Sequence, residues 1–316
     1  MNMDRLLRPR PGSVSDFQFG AVATETIEDT LLHLAQQNEQ AVQEAAGRMG
    51  SFRETRIVEF VFLLSEQWCL EKSVSYQAVE ILERFMVKQA EDICMKAPIQ
   101  LRANEKTESW NWKALKEQLF NKFILRLVSC VQLASKLSFH YKIISNITVL
   151  NFLQALGYLY TKEELLESEL DVLKSLNFQI NLPTPLAYVE MLLEVLGTSL
   201  ALQLKASVLP LEQSTTSSVL VVYWRISWME KFISVKEDFM LLAVGIIAAS
   251  AFIQNHECWS QVVGHLQSIT GIAVESIAEF SYAILTHSVG ANTPGRQQPA
   301  PPHLADRARR GAASST

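Results

Sequence analysis

The sequence predicts an all-α protein, and three observations carry the prediction. Apolar residues recur at spacings of three, four and seven along most of the chain. The interruptions hold helix-capping Ser, Thr and Asn or helix-ending Pro and Gly. The one β-branched run, SVLVVYW, stands alone between long helical patterns. A chain of 316 residues that is 48% hydrophobic can bury a sizeable core, and its length fits one large domain or two small ones.

In order, the first helix spans 25–46, with Ile27, Leu31, Leu34, Ala35, Val42 and Ala45 on one stripe and Thr26 with Asp29 as a capping box. TRIVEFVFLLSEQWCL (55–70) is apolar nearly all round and is expected to be central. A third helix, YQAVEILERFMVKQA, follows Ser73 and Ser75 as candidate caps and places Val79, Leu82 and Met86 on one face. Residues 96–113 are polar, contain Pro98 and read as a loop; a helix then runs from about 112 or 119 to 137.

SNITVLNFLQAL is capped by Ser145 or Asn146, and TKEELLESELDVLKSLNF by Thr161 with Glu164 three residues on. Pro183 and Pro185 break the chain before another helix, which Gly197 can end. Residues 198–233, with Pro210 and a Ser/Thr cluster, read as irregular. Three helices close the folded part, in VKEDFMLLAVGIIAASAFIQ, CWSQVVGHLQSIT and AVESIAEFSYAILTHS. Both ends are rich in residues that bury nothing and are expected to be disordered, 1–23 at the start and 290–316 at the end.

Charge and motifs exclude several functions. With 28 Lys+Arg against 33 Asp+Glu there is no field to draw the chain onto nucleic acid or anionic lipid, so neither a direct nucleic-acid nor a membrane partner is expected. The apolar run 239–253 is shorter than the ~20 residues that span a bilayer and reads as a core helix. Cys69, Cys94, Cys130 and Cys258 stand far apart with no CxxC spacing, which fits a reducing compartment, and the N-terminus has no apolar signal region.

No nucleotide-binding, zinc-protease or nucleophile-elbow motif occurs, and the six histidines have no metal spacing, so neither catalysis nor a cofactor is expected. His256, Glu257 and Cys258 are explained by a loop between two helices. Trp110 and Trp112 beside Lys106 and Lys113 read either as a stacking patch for single strands or as a loop anchored by two aromatics.

Two charges break the helical pattern. Residues three, four and seven positions from Glu169 are Leu165, Leu166, Val172, Leu173 and Leu176, so a carboxylate sits in an apolar face. Burying it without a partner costs several kcal/mol, roughly. Lys136, near the end of a largely apolar helix, shares a stripe with Leu125, Ser129 and Gln132, while Phe120, Phe123, Ile124, Leu127, Val131 and Ala134 form the core face. Either Lys136 is solvated or pairs with Glu169 inside the fold, or both residues edge a groove and meet the backbone of a partner.

At these residues the sequence resembles the cyclins. LERFM (82–86) is similar to their second-helix LDRFL, CVQLASKLS (130–138) to their third-helix IASKYEE region, and ESELDVLKSLNFQINLPTP (167–185) to their fifth helix and the exit from the first box. The resemblance implies an all-α cyclin fold: an N-terminal helix and linker (24–54), one five-helix cyclin box (55–185) and a divergent, complete or incomplete, second helical domain (186–289).

It also implies a non-catalytic partner of a cyclin-dependent kinase. In the family the lysine and glutamate at these positions hydrogen-bond the kinase backbone near its αC helix. The implied partner-binding set is Lys136 and Glu169, with Gln132 and Leu166 on the same helix faces. Through a divergent cyclin-like branch associated with crossover maturation in meiosis, the resemblance implies nuclear residence and a role in recombination. The alternative is a kinase-independent adaptor that recruits recombination or replication proteins. Departures from the pattern are Glu83 for the family aspartate, Ser138 and Phe139 for the acidic pair, and no MRAIL motif. ETRIVEF offers Phe60 at the tryptophan position and no clean match for the arginine.

Overall fold

The computed structural model describes residues 24–45, 52–96, 116–117, 119–138, 143–199, 237–254 and 256–290. The expectations for 1–23, for the loop containing Trp110 and Trp112, for nearly all of 198–233 and for the tail after 290 lie outside the described residues. Among the described residues there are ten α-helices and no strand, as an all-α cyclin-like fold requires.

Helix α1 (Thr24–Ala45) buries Ile27 and Leu34. Thr26 lies inside its first turn, where its carbonyl accepts from Thr30 Oγ1, so it does not cap the helix as the sequence suggested. Helix α2 (Thr55–Gln67) buries only one face, Val58, Val61, Leu64 and Ser65, and leaves Leu63 exposed. It is therefore peripheral, and the central place belongs to α3 (Lys72–Lys96), whose Tyr76, Ile81, Phe85 and Met86 are fully buried. Ser73 and Ser75, expected as caps, fall within α3.

Lys122, with φ of 58°, turns the chain into α4 (Phe123–Leu137), which wedges between α3 and the helix carrying Glu169. Ser145 caps α5 (Asn146–Ala155) by accepting from the Thr148 amide at 3.2 Å. Thr161 and Glu164 close a reciprocal box at the start of α6 (Lys162–Ser175), with bonds of 2.9 and 3.2 Å. The structure thus forms both caps as the sequence predicted.

Pro185 opens α7 (Pro185–Ser199), where its missing N–H is no loss. Gly197 does not end that helix. Packing of the buried Leu192, Leu193 and Leu196 outweighs the glycine's weak helix propensity.

Helix α8 (Phe239–Gln254) is the buried helix its apolar run predicted, capped by Asp238, whose carboxylate accepts from the Leu241 amide. It packs against α7, against α9 (Trp259–Thr270) and against α10 (Val274–Gly290). Gly245 lets α8 and α10 approach closely: a Cβ there would stand 2.3 Å from Phe280 Cδ1. Among the described residues, no helix is long and apolar enough to cross a membrane.

The two halves are tied through α1. Tyr188 Oη of α7 donates to the Leu34 carbonyl at 3.0 Å, and Asn38 both donates to Asp238 and accepts from the Met240 amide. One hydrophobic core runs continuously from α1 to α10.

Candidate functional site

Helix α4 delivers Lys136 in its last turn, where the partial negative charge of the helix end favours a cation. Helix α6 delivers Glu169 from the border of its buried face: Leu165, Val172 and Leu176 go into the core, while Leu166 and Leu170 are exposed. The Lys136 ammonium donates to Glu169 Oε1 at 2.5 Å and Oε2 at 2.7 Å. Its side chain is 37% exposed and that of Glu169 only 7%.

The pair is therefore a surface cation holding a nearly buried carboxylate. Lys136 keeps a third N–H, and each carboxylate oxygen keeps a lone pair, so both can still engage further groups. Nearby, the Ile144 amide lies 3.4 Å from Ser135 Oγ, which folds the start of α5 against the end of α4 and sets the exposed Ile143 and Ile147 at the same end of the bundle.

Gln132 does not share this surface. It is wholly buried, and its amide donates to Asn146 Oδ1 at 2.5 Å and the Ile144 carbonyl at 3.3 Å. Its role is to pin the α4–α5 corner, so the expectation that it meets a partner is revised. The polar stripe of which it was part is internal: Leu125 and Ser129 are buried too, and Ser129 bonds Ser168 of α6 at 2.9 Å. Leu166, by contrast, is exposed as a contact residue needs to be.

A second constellation escaped the sequence. Arg53, ahead of α2, is buried and pairs with Glu80 of α3 at 2.5 Å and with Glu237, ahead of α8, at 2.7 Å. Its guanidinium lies 5.5 Å from the centre of the Phe239 ring, in cation–π range. Glu83 is buried beside them and accepts from the Phe52 amide at 2.7 Å. Burial pushes the Glu80 carboxyl up to about 7; Arg53 opposes the shift, and Glu237 and Glu83 add to it.

This cluster lines a cleft of about 630 Å3 between α1, α3, the chain leaving α6 and the entry to α8. Apart from Glu83, noted only as the replacement for a family aspartate, no local signal marked these residues, because Glu80 and Glu83 share a polar face of α3 with Gln77 and Arg84 and only distant partners cover it.

No family model matches the chain. It is 74% identical to the mouse protein named Cyclin N-terminal domain-containing protein 1, over all of this chain and 98% of that relative. To the human protein of the same name it is 73% identical, over 99% of each. Identity at that level over whole chains leaves one conclusion: the protein belongs to the Cyclin N-terminal domain-containing protein 1 family of cyclin-like proteins.

Proposed function

We propose that the chain is a non-catalytic regulatory subunit that binds a cyclin-dependent kinase through the α4–α6 face. The observation that carries this reading is the Lys136–Glu169 pair, its lysine open to solvent, with exposed Leu166 and Leu170 on the helix that carries Glu169 and exposed Ile143 and Ile147 at the start of α5. An apolar patch around a cation and a carboxylate suits a partner that offers both side chains and backbone polar groups: the ammonium donates to a carbonyl, and the carboxylate accepts from an amide. Setting the αC helix and activation loop of a kinase requires binding alone and no chemistry from this chain. The resemblance to a branch associated with meiotic crossover maturation supports a nuclear role in recombination.

The test is capture of purified cyclin-dependent kinases by the full chain and by its Lys136→Ala, Glu169→Ala and Leu166→Asp variants. Capture by the wild type and its loss in all three folded variants is expected. Capture unaffected by the substitutions would move the reading to a kinase-independent adaptor.

A further inference from the structure

Gln132 is fully buried in a stretch of α4 that is otherwise mostly apolar. Its Nε2 faces two acceptors, the Ile144 carbonyl and Asn146 Oδ1, while its Oε1 is buried with no hydrogen-bond partner among the described residues. A buried amide left half matched is costly, and a methionine would fill much the same space without that cost. Folding alone does not ask for a glutamine here.

What the amide does is hold the chain where it returns from α4. The Ile144 carbonyl accepts from Gln132 and the Ile144 amide donates to Ser135 Oγ, so both backbone groups of this residue are fastened to α4. Ile144 turns its own side chain into the core at 4% exposure, which leaves Ile143 and Ile147 outward at 64% and 71%. Branched at Cβ, these two have few rotamers to lose when they meet a partner. They form a stiff apolar contact on a clamped corner, at the end of α4 that also carries Lys136.

We propose, resting on the kinase-binding reading above, that Gln132 is a positioning residue for that interface: it touches no kinase atom and acts by fixing Ile143 and Ile147 as preformed apolar contacts beside Lys136 and Glu169. Without its two bonds the corner keeps the buried Ile144 side chain as an anchor but loses its fixed direction. Ordering the two isoleucines then falls on the binding step and weakens it.

The test is a double-mutant cycle on the full chain, read as Kd for the purified cyclin-dependent kinase that the wild type captures most tightly. Gln132→Met is expected to weaken binding about tenfold while its urea midpoint stays near that of the wild type. In an Ile143→Ala/Ile147→Ala background, itself weakened, the same substitution is expected to change Kd by less than about twofold. Asn146→Ala removes one acceptor and should also weaken binding, whereas Asn146→Asp keeps an oxygen for the amide and should restore it. Asn146 lies at the half-buried start of α5, so its variants decide the matter if Gln132→Met fails to fold. An unchanged Kd in Gln132→Met or, failing that variant, in Asn146→Ala would overturn the proposal and leave the kinase reading standing. An equal loss in both backgrounds would do the same. A wild type that captures no kinase would instead bring down that reading, and this role with it.

Discussion

Lys136 and Glu169 stand thirty-three residues apart and meet with both carboxylate oxygens within 2.7 Å of one ammonium. The pair is lopsided, because water reaches the lysine while the glutamate is nearly enclosed.

That asymmetry predicts unequal effects on folding. Lys136→Ala strands a buried carboxylate and is expected to cost about 1–3 kcal/mol. Glu169→Gln leaves a cation that water can solvate and should cost below ~1 kcal/mol. Urea denaturation of both variants checks the order. Loss of kinase binding in Glu169→Gln at nearly wild-type stability would separate the functional role of the pair from its structural one.

Glu80 makes stability depend on pH. Its folded pKa of about 7 lies above its ordinary 4.5, so the folded state holds this proton more tightly than the unfolded state does. The contribution is fully present below about pH 4.5 and is lost as pH rises through 7, to a total of roughly 3 kcal/mol. Glu80→Gln should remove this fall, so melts of wild type and variant from pH 5 to pH 8 should differ in slope.

Thr161→Ala is expected to cost about 1 kcal/mol, because it frees the Glu164 amide and breaks the reciprocal box. Thermal melting reads the loss, and Thr161→Ser should restore most of it.

Gly245→Ala should destabilise the protein by about 1–3 kcal/mol through overpacking. The new methyl collides with the buried Phe280 ring and has Ile284 Cδ1 at 3.3 Å behind it. A second change, Phe280→Leu, is expected to relieve the clash, so the double variant should melt above the single one.

The helices legible in the sequence are those whose signals are local. Thr161 and Glu164 announce α6 within four residues, and a carboxylate among leucines singled out Glu169 before any partner was visible. Contacts between distant segments were not legible. Gln132 looked like part of an outer stripe because nothing nearby shows that the chain at 143–146 folds back over it. Gly197 looked like a terminus because the packing that carries α7 past it comes from elsewhere in the fold. Nothing in the local sequence joins Arg53 to Glu80, since the third member of their cluster lies 184 residues beyond the arginine.

That separation bears on how the protein is made. Arg53 and Glu80 leave the ribosome long before Glu237, and at 5–20 residues per second the interval is on the order of 10–40 s. Throughout it the nascent first half has its arginine and glutamate but lacks the carboxylate and the Phe239 ring that complete their surroundings. The last stage of folding therefore waits on translation of the second half. A message truncated before codon 237 would leave a polypeptide whose buried charges stay incomplete, and such a product is a natural client for chaperones and proteolysis.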